Sequence, residues 1–287
     1  METYITANNI RTRVCEWGRS DKLTIVCVHG LGSSAYSFLE LAHELEEQFH
    51  FISIDLPGHG KTQAFRADDE YGIDNLTRWL KQVLDEICQG PVNFLAHSWG
   101  GCIALHYAAR YPERVKKMML LDGGYHQNNY DCNSKVGFAS EEEEISYYMQ
   151  DFDGYRFSTL KEAVDAELSN YDRTSIWMQK AVKDLVRMNE DGVFVWHATG
   201  DTARGAIKSM CRYPTKDIYE RVNCPIYLLA ALEPKEWEEK RRLWVEEFEK
   251  QTGAVVKWIK ASHMLHWEQL ENICEEVLLW FEPSTYM

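Results

Sequence analysis

A chain of 287 residues is longer than the roughly 150 of a typical single domain and suits two units, or one large α/β domain carrying an insertion. Hydrophobic residues at 45% and charged residues at 26% exclude disorder as its main state. Thirty-one basic against forty-five acidic residues leave a formal charge of −14 with no basic stripe, so nucleic acid and anionic membrane are poor partners.

The eight cysteines (15, 27, 88, 102, 132, 211, 224 and 274) are scattered, with neither a C-x-x-C pair nor Cys/His metal-ligand spacing. The N-terminus, Met1-Glu2-Thr3-Tyr4, has no signal pattern, and the longest apolar stretches run to about eight residues, against the ~20 that a membrane span needs. The expectation is a reduced, soluble, cytoplasmic protein with no membrane span.

In chain order, residues 23–28 form an apolar run broken only by Thr24, as expected of a strand buried on both faces. Residues 49–54, 92–96 and 118–121 read the same way. Between them, Leu76, Trp79, Leu80, Val83, Leu84 and Ile87 share one helical face, with Asp74 or Asn75 as N-cap and Gly90 past the end. A second helix starts at Gly101 and stops at Tyr111-Pro112. Strand and helix in alternation predict an α/β fold, a mostly parallel sheet with helices on both faces. From 123 to 221 the strand signal fades and helical patterns dominate. The alternation resumes with a strand at 226–231, a helix at 237–250, a strand at 254–259 and a closing helix at 273–281. The chain therefore divides into a core of 1–122 and 222–287 and an inserted helical cap of 123–221. The acidic run Glu141 to Glu144 reads as a solvated helix turn.

The most informative string is Val92-Asn93-Phe94-Leu95-Ala96-His97-Ser98-Trp99-Gly100-Gly101. An apolar strand runs into a small-x-Ser-x-Gly turn and then directly into a helix, the setting of a nucleophilic serine on a strained elbow. A serine hydroxyl needs a base to activate it and donors for the oxyanion it creates. The donors are the N–H of Trp99 and the N–H of Leu31, in the glycine loop His29-Gly30-Leu31-Gly32 after the first strand. For the base, His263 stands in the loop after the last strand and fits the order serine, acid, histidine. His266 is the competitor three residues on. His97 points away from Ser98, and His29 reads as a loop residue. His43, His50, His106, His126 and His197 fit no pattern and read as surface or satisfied core.

Together, His29-Gly-Leu-Gly, Asp55-Leu-Pro-Gly-His59-Gly60, Ala96-His-Ser-Trp-Gly-Gly and Ser262-His263 resemble the α/β-hydrolase superfamily over almost the whole core. The resemblance implies an eight-stranded, mostly parallel sheet with its second strand antiparallel, and a Ser–His–acid triad. The cap resembles the lids of esterases, lactonases and carbon–carbon bond hydrolases. A serine nucleophile excludes the aspartate-nucleophile relatives, epoxide hydrolases and haloalkane dehalogenases. The family's usual Gly-x-x-Asp after the penultimate strand is here Ala231-Leu232-Glu233-Pro234. Two acids remain: Asp122, which ends the strand at 118–121, and Glu233, one residue short of the usual site. Asp122 is favoured, with Glu233 as the alternative.

These residues predict a serine hydrolase for a small, partly apolar ester or lactone, with neither cofactor nor metal required. Trp177, Met178, Met188, Phe194, Trp196 and Met210 of the cap wall the site or pack the cap to the core. Two rivals stand beside this reading. One is carbon–carbon bond hydrolysis, its substrate carboxylate held by Arg156, Arg173, Arg187, Arg204 or Arg212. The other is a non-catalytic ligand-binding protein of the same fold.

Overall fold

The computed structural model describes residues 1–126, 130 and 136–282. Its core strands are β1 (Glu2–Ala7), β2 (Ile10–Gly18), β3 (Leu23–Val28), β4 (Phe49–Ile54), β5 (Val92–His97) and β6 (Val115–Leu121). Three short strands follow, β7 (Arg156–Phe157), β8 (Val186–Met188) and β9 (Phe194–Trp196), and then β10 (Ile226–Ala231) and β11 (Val255–Ile259). The main sheet has eight strands in the order β1-β2-β4-β3-β5-β6-β10-β11. All its pairings are parallel except the two made by β2, the single reversed strand. Strands β1 and β2, which the apolar-run reading did not pick out, meet at Asn8-Asn9. Both asparagines have positive φ, 49° and 62°, the backbone that a tight hairpin demands and that Asn tolerates.

The helices of the core are α1 (Leu39–Glu44), α2 (Ile73–Ile87) and α3 (Trp99–Arg110). Those between β6 and β10 are α4 (Glu141–Gly154), α5 (Leu160–Leu168), α6 (Ile176–Leu185) and α7 (Gly200–Arg212), and the chain closes with α8 (Glu238–Thr252), α9 (Leu265–Glu268) and α10 (Leu270–Phe281). Burial on both faces explains the continuous apolar strands. Val26, Val28, Phe94 and Leu120 pack with Trp79, Leu80, Ile103 and Phe248 from α2, α3 and α8 on one face. Their neighbours Ile25, Cys27, Leu95 and Leu121 pack with Leu41, Ile273, Val277 and Phe281 from α1 and α10 on the other. Two helix starts differ from expectation. α2 is capped by Gly72 rather than Asp74 or Asn75, and α3 begins at Trp99 because the elbow leads directly into it.

The stretch between β6 and β10 is a helical cap with an unexpected component, a three-stranded antiparallel sheet in the order β7-β9-β8. The β8–β9 turn is closed by Asn189, whose Oδ1 accepts the N–H groups of Asp191 and Val193, and by Gly192 at φ +77°. Strands of two or three residues are too short to leave a periodic signal. The cap is held to the core by buried or half-buried ion pairs. Arg13, fully buried on β2, bonds Asp55 through Nε at 2.6 Å and Asp184 of α6 through Nη1 at 2.7 Å. Arg173 reaches Glu40 of α1 at 2.6 Å, and Arg204 of α7 reaches Asp68 at 2.9 Å. Among the described residues no helix is long and apolar enough to cross a membrane, and the seven described cysteines are free thiols. Cys132 lies outside the described residues.

Candidate active site

The parallel strands bring their carboxyl ends to one edge: Val28 sits opposite Ala96, His97 opposite Leu121, and Leu121 opposite Leu229. The segments leaving these strands therefore converge there. Ser98 follows β5 with φ 52° and ψ −123°, a strained conformation for a residue with a side chain. The strain is held in place by close packing. A methyl on Gly100 would lie 2.4 Å from the Val28 carbonyl oxygen, and one on Gly123 would lie 2.5 Å from the backbone N and O of Ser98. Only glycine fits at either position.

His263, in the loop between β11 and α9, places Nε2 2.8 Å from Ser98 Oγ. Its Nδ1 lies 2.6 Å from Oδ2 of Asp122, directly after β6. Asp122 is fully buried at φ +42°. Its other oxygen accepts from the Tyr125 hydroxyl at 2.5 Å and from the Ala231 N–H at 3.0 Å. Burial alone would raise the Asp122 pKa. The hydrogen bond and charge of His263, the charge of His126 and the Tyr125 hydroxyl outweigh it and hold the carboxyl well below the usual carboxylate range. The end of β10, where Glu233 was the alternative, thus contributes a backbone donor to Asp122. Glu233 makes no hydrogen bond to His263, and its own N–H goes to the Ala261 carbonyl at 3.0 Å.

The neighbouring imidazoles support this array. His97 bonds the His263 carbonyl through Nε2 at 2.9 Å, which anchors the loop carrying His263. His266 is buried against Ser37, with Nε2 2.8 Å from its hydroxyl, and burial pushes its pKa down to about 3. The loop of Leu31 passes against Ser98, since a methyl on Gly30 would lie 2.9 Å from Ser98 Cβ. Two neutral histidines set that loop's path. His29 donates from Nδ1 to the Gly30 carbonyl at 2.7 Å and accepts the Leu56 N–H at Nε2, 3.0 Å. His59 accepts the Gly32 N–H at 3.0 Å. Burial drives the His29 pKa well below its ordinary value and that of His59 to about 4. Trp99, whose N–H was the second expected oxyanion donor, is the first residue of α3, so that N–H stands at the positive end of the helix.

Ser98, Asp122 and His263 line a cavity of about 520 Å³. Of the six cap residues named from sequence only Met210 lines it. Phe138, Tyr147 and Tyr148 at the start of the cap and Trp237 and Trp244 from the α8 side are the main aromatic walls. Met178 is buried in a cap core, Trp196 stacks on Tyr155, and Met188 is exposed. None of Arg156, Arg173, Arg187, Arg204 and Arg212 lines the cavity; among the described residues the lysine and arginine there are Lys240 and Arg241 of α8. His126, assigned to surface or core from sequence, also lines it, stacked on Tyr125 with ring centroids 4.2 Å apart. Glu144, from the acidic run, turns inward and accepts the Tyr130 hydroxyl at 2.6 Å. Arg241 had a legible signal, since it shares the i, i+3, i+4, i+7 stripe with Trp244, Val245 and Phe248; His126 had none. Asp122, His126 and His263 bring ligand atoms within 4.8 Å of one another. Asp122 Oδ2 and both His263 nitrogens are already engaged in the chain from Ser98, so a cation bound through them would have to displace those bonds.

The family model for the alpha/beta hydrolase fold matches residues 24–270. Among curated proteins, the chain is 31% identical over 124 residues to (E)-2-((N-methylformamido)methylene)succinate hydrolase of Acinetobacter baylyi, covering 43% of this chain and 46% of that enzyme. It is 28% identical over 116 residues to epoxide hydrolase 1 of Caenorhabditis elegans, covering 40% of this chain and 29% of that protein. The chain thus spans less than half the length of these relatives. Among solved structures, the thioesterase domain from the curacin biosynthetic pathway superposes with a TM-score of 0.77 at 16% identity, over 97% of this chain and 99% of that one. An E-2-(acetamidomethylene)succinate hydrolase gives 0.76 at 14% identity over 99% of both. At these identities the structures speak to the fold alone.

Proposed function

The chain belongs to the alpha/beta hydrolase fold family, and from that premise we propose that it is a serine hydrolase cleaving a small, partly apolar carboxylic ester or lactone through an acyl-enzyme. The observation that carries the reading is the unbroken chain from Ser98 Oγ to His263 Nε2 at 2.8 Å and from His263 Nδ1 to Asp122 at 2.6 Å. Ser98 attacks the carbonyl carbon while His263 takes its proton. The oxyanion is met by the N–H groups of Leu31 and Trp99. His263 then returns the proton to the leaving alcohol, which departs from an ester or stays tethered to the acyl group of an opened lactone as the acyl-enzyme forms, and the same groups activate water to release the acid. Asp122 holds the imidazole in the tautomer with Nδ1 protonated and stabilises its cation. The aromatic wall favours an apolar moiety, and residues 123–221 serve as the lid. A serine at the elbow argues against the epoxide chemistry of some relatives, and the intact Ser98–His263 pair argues against a purely ligand-binding role. Free thiols fit a reducing compartment, and we place the protein in the cytoplasm. Carbon–carbon bond hydrolysis by the same triad is a second reading, favoured by the cations on the cavity wall.

The test is a screen of p-nitrophenyl esters and lactones beside Ser98→Ala, with phosphonate labelling of Ser98. Ser98→Ala should lower turnover by about five to six powers of ten with the fold intact. Retention of more than about a tenth of the activity would refute the assignment.

A further inference from the structure

We propose that Arg241 anchors a carboxylate of the substrate inside the cavity, so that the ester or lactone cleaved is itself an anion; this rests on the serine-hydrolase reading and adds the substrate class. Arg241 lies on the buried face of α8 and is 6% exposed. A guanidinium buried to that degree is costly unless a counter-charge or full hydrogen bonding meets it. The other well-buried arginine, Arg13, has Asp55 and Asp184, and the half-buried Arg173 and Arg204 have Glu40 and Asp68. Among the described residues no carboxylate lies within ion-pair distance of Arg241. One arm reaches the Ala231 carbonyl at 2.8 Å, and the Tyr125 hydroxyl lies close enough to interact with the guanidinium. Among the described residues these two neutral contacts leave most of its five N–H donors for a partner, and the residue lines the same cavity as Ser98 and His263.

The surroundings suit an anion with an apolar body. Lys240 adds a second positive charge to this wall, its Nζ 5.5 and 5.1 Å from the ring centroids of Trp237 and Trp244. Among the described residues the acidic groups lining the cavity are both engaged, Glu144 by Tyr130 and Asp122 by His263. In a chain of net charge −14, a buried guanidinium with no described carboxylate beside it gives this wall a local field that draws an anionic substrate in. A guanidinium fork matches a carboxylate in bidentate fashion, which orients as well as binds. The tryptophans beside it cover the chain joining that carboxylate to the reacting carbonyl.

The experiment compares two p-nitrophenyl esters of equal length, the glutarate half-ester with its free carboxylate and the same compound capped as a methyl ester. Wild type should favour the anionic ester at least tenfold in kcat/KM. Arg241→Gln, which keeps a donor for the Ala231 carbonyl, should lower the anionic-to-neutral ratio tenfold to a hundredfold, and Arg241→Lys should retain part of it. No preference in wild type, or an equal loss on both esters in Arg241→Gln, would overturn the proposal. If neither ester is turned over, glutarate binding read by tryptophan fluorescence decides: saturable quenching lost in Arg241→Gln supports the anchor, and absence of binding defeats it. Activity persisting in Ser98→Ala would sink the serine-hydrolase reading while leaving the charge preference measurable.

Discussion

Replacing Asp122 by Asn removes one charge and changes one atom, and the hydrogen bonds dictate how the amide must sit. Oδ1 of Asp122 accepts the Ala231 N–H at 3.0 Å and the Tyr125 hydroxyl at 2.5 Å. A backbone N–H cannot rotate away, so the oxygen of the new amide must keep that side. The amide nitrogen then takes the place of Oδ2, 2.6 Å from Nδ1 of His263. An NH2 group there donates, so Nδ1 must accept and the imidazole proton moves to Nε2, facing Ser98 as a donor. In that tautomer the base cannot take the serine proton. The expected cost is about ten-thousandfold in kcat near neutral pH, or about 5.4 kcal/mol at 1.36 kcal/mol per decade. Fold and substrate affinity should persist, because the Ala231 and Tyr125 bonds survive. The assay is steady-state hydrolysis of a p-nitrophenyl ester by wild type, Asp122→Asn and Glu233→Gln, with circular dichroism to confirm folding. Glu233→Gln should cost less than about threefold. If Asp122→Asn keeps a tenth of wild-type activity, or if Glu233→Gln is the slower enzyme, the tautomer argument fails.

The two candidate bases are separated by their partners, so His263→Ala should cost several powers of ten in kcat and His266→Ala far less; the reverse ranking would move the base. The clamp between core and cap gives a stability prediction. Asp184→Ala strips one carboxylate from fully buried Arg13 and an acceptor from the Ser34 hydroxyl, and should lower the unfolding free energy by about 3 kcal/mol in urea titration, the low end for a broken buried pair because Asp55 remains; a loss under about 1 kcal/mol would show the clamp to be ornamental. The buried histidines make stability fall in mild acid. The His59 pKa is pushed down to about 4 against roughly 6.5 unfolded, so the unfolded chain binds the extra proton between those values. The stability that neutral His59 contributes is complete above about pH 6.5 and is lost progressively toward pH 4, by up to about 3 kcal/mol. His59→Gln should flatten the measured slope of unfolding free energy against pH in that window, and an unchanged slope would count against the assignment.

Local residue order was enough for the features that local physics controls. Apolar runs such as 23–28 and 92–96 read as doubly covered strands because each residue must be apolar when both faces are buried. The elbow was legible because a strained serine needs small neighbours, and that need is written at Gly100. Short elements escaped because two or three residues in β7 to β9 carry no periodicity. The choice between Asp122 and Glu233 could not be made along the chain. β6 and β10 are adjacent parallel strands in register, Leu121 against Leu229, so both acids leave the same sheet edge within reach of one imidazole. The structure separates them by geometry: Asp122 is the one that lies against Nδ1 of His263, and the Ala231 N–H and Tyr125 hydroxyl that hold it there come from outside its strand. The cavity wall is of the same kind. Tyr148 and Trp244 stand on helices separated by most of the cap, and the charge of Arg241 became meaningful once its surroundings showed aromatic rings and no described carboxylate at hand. Helical spacing says which side of α8 is buried; what that side faces depends on contacts between segments distant in sequence, and packing alone sets those.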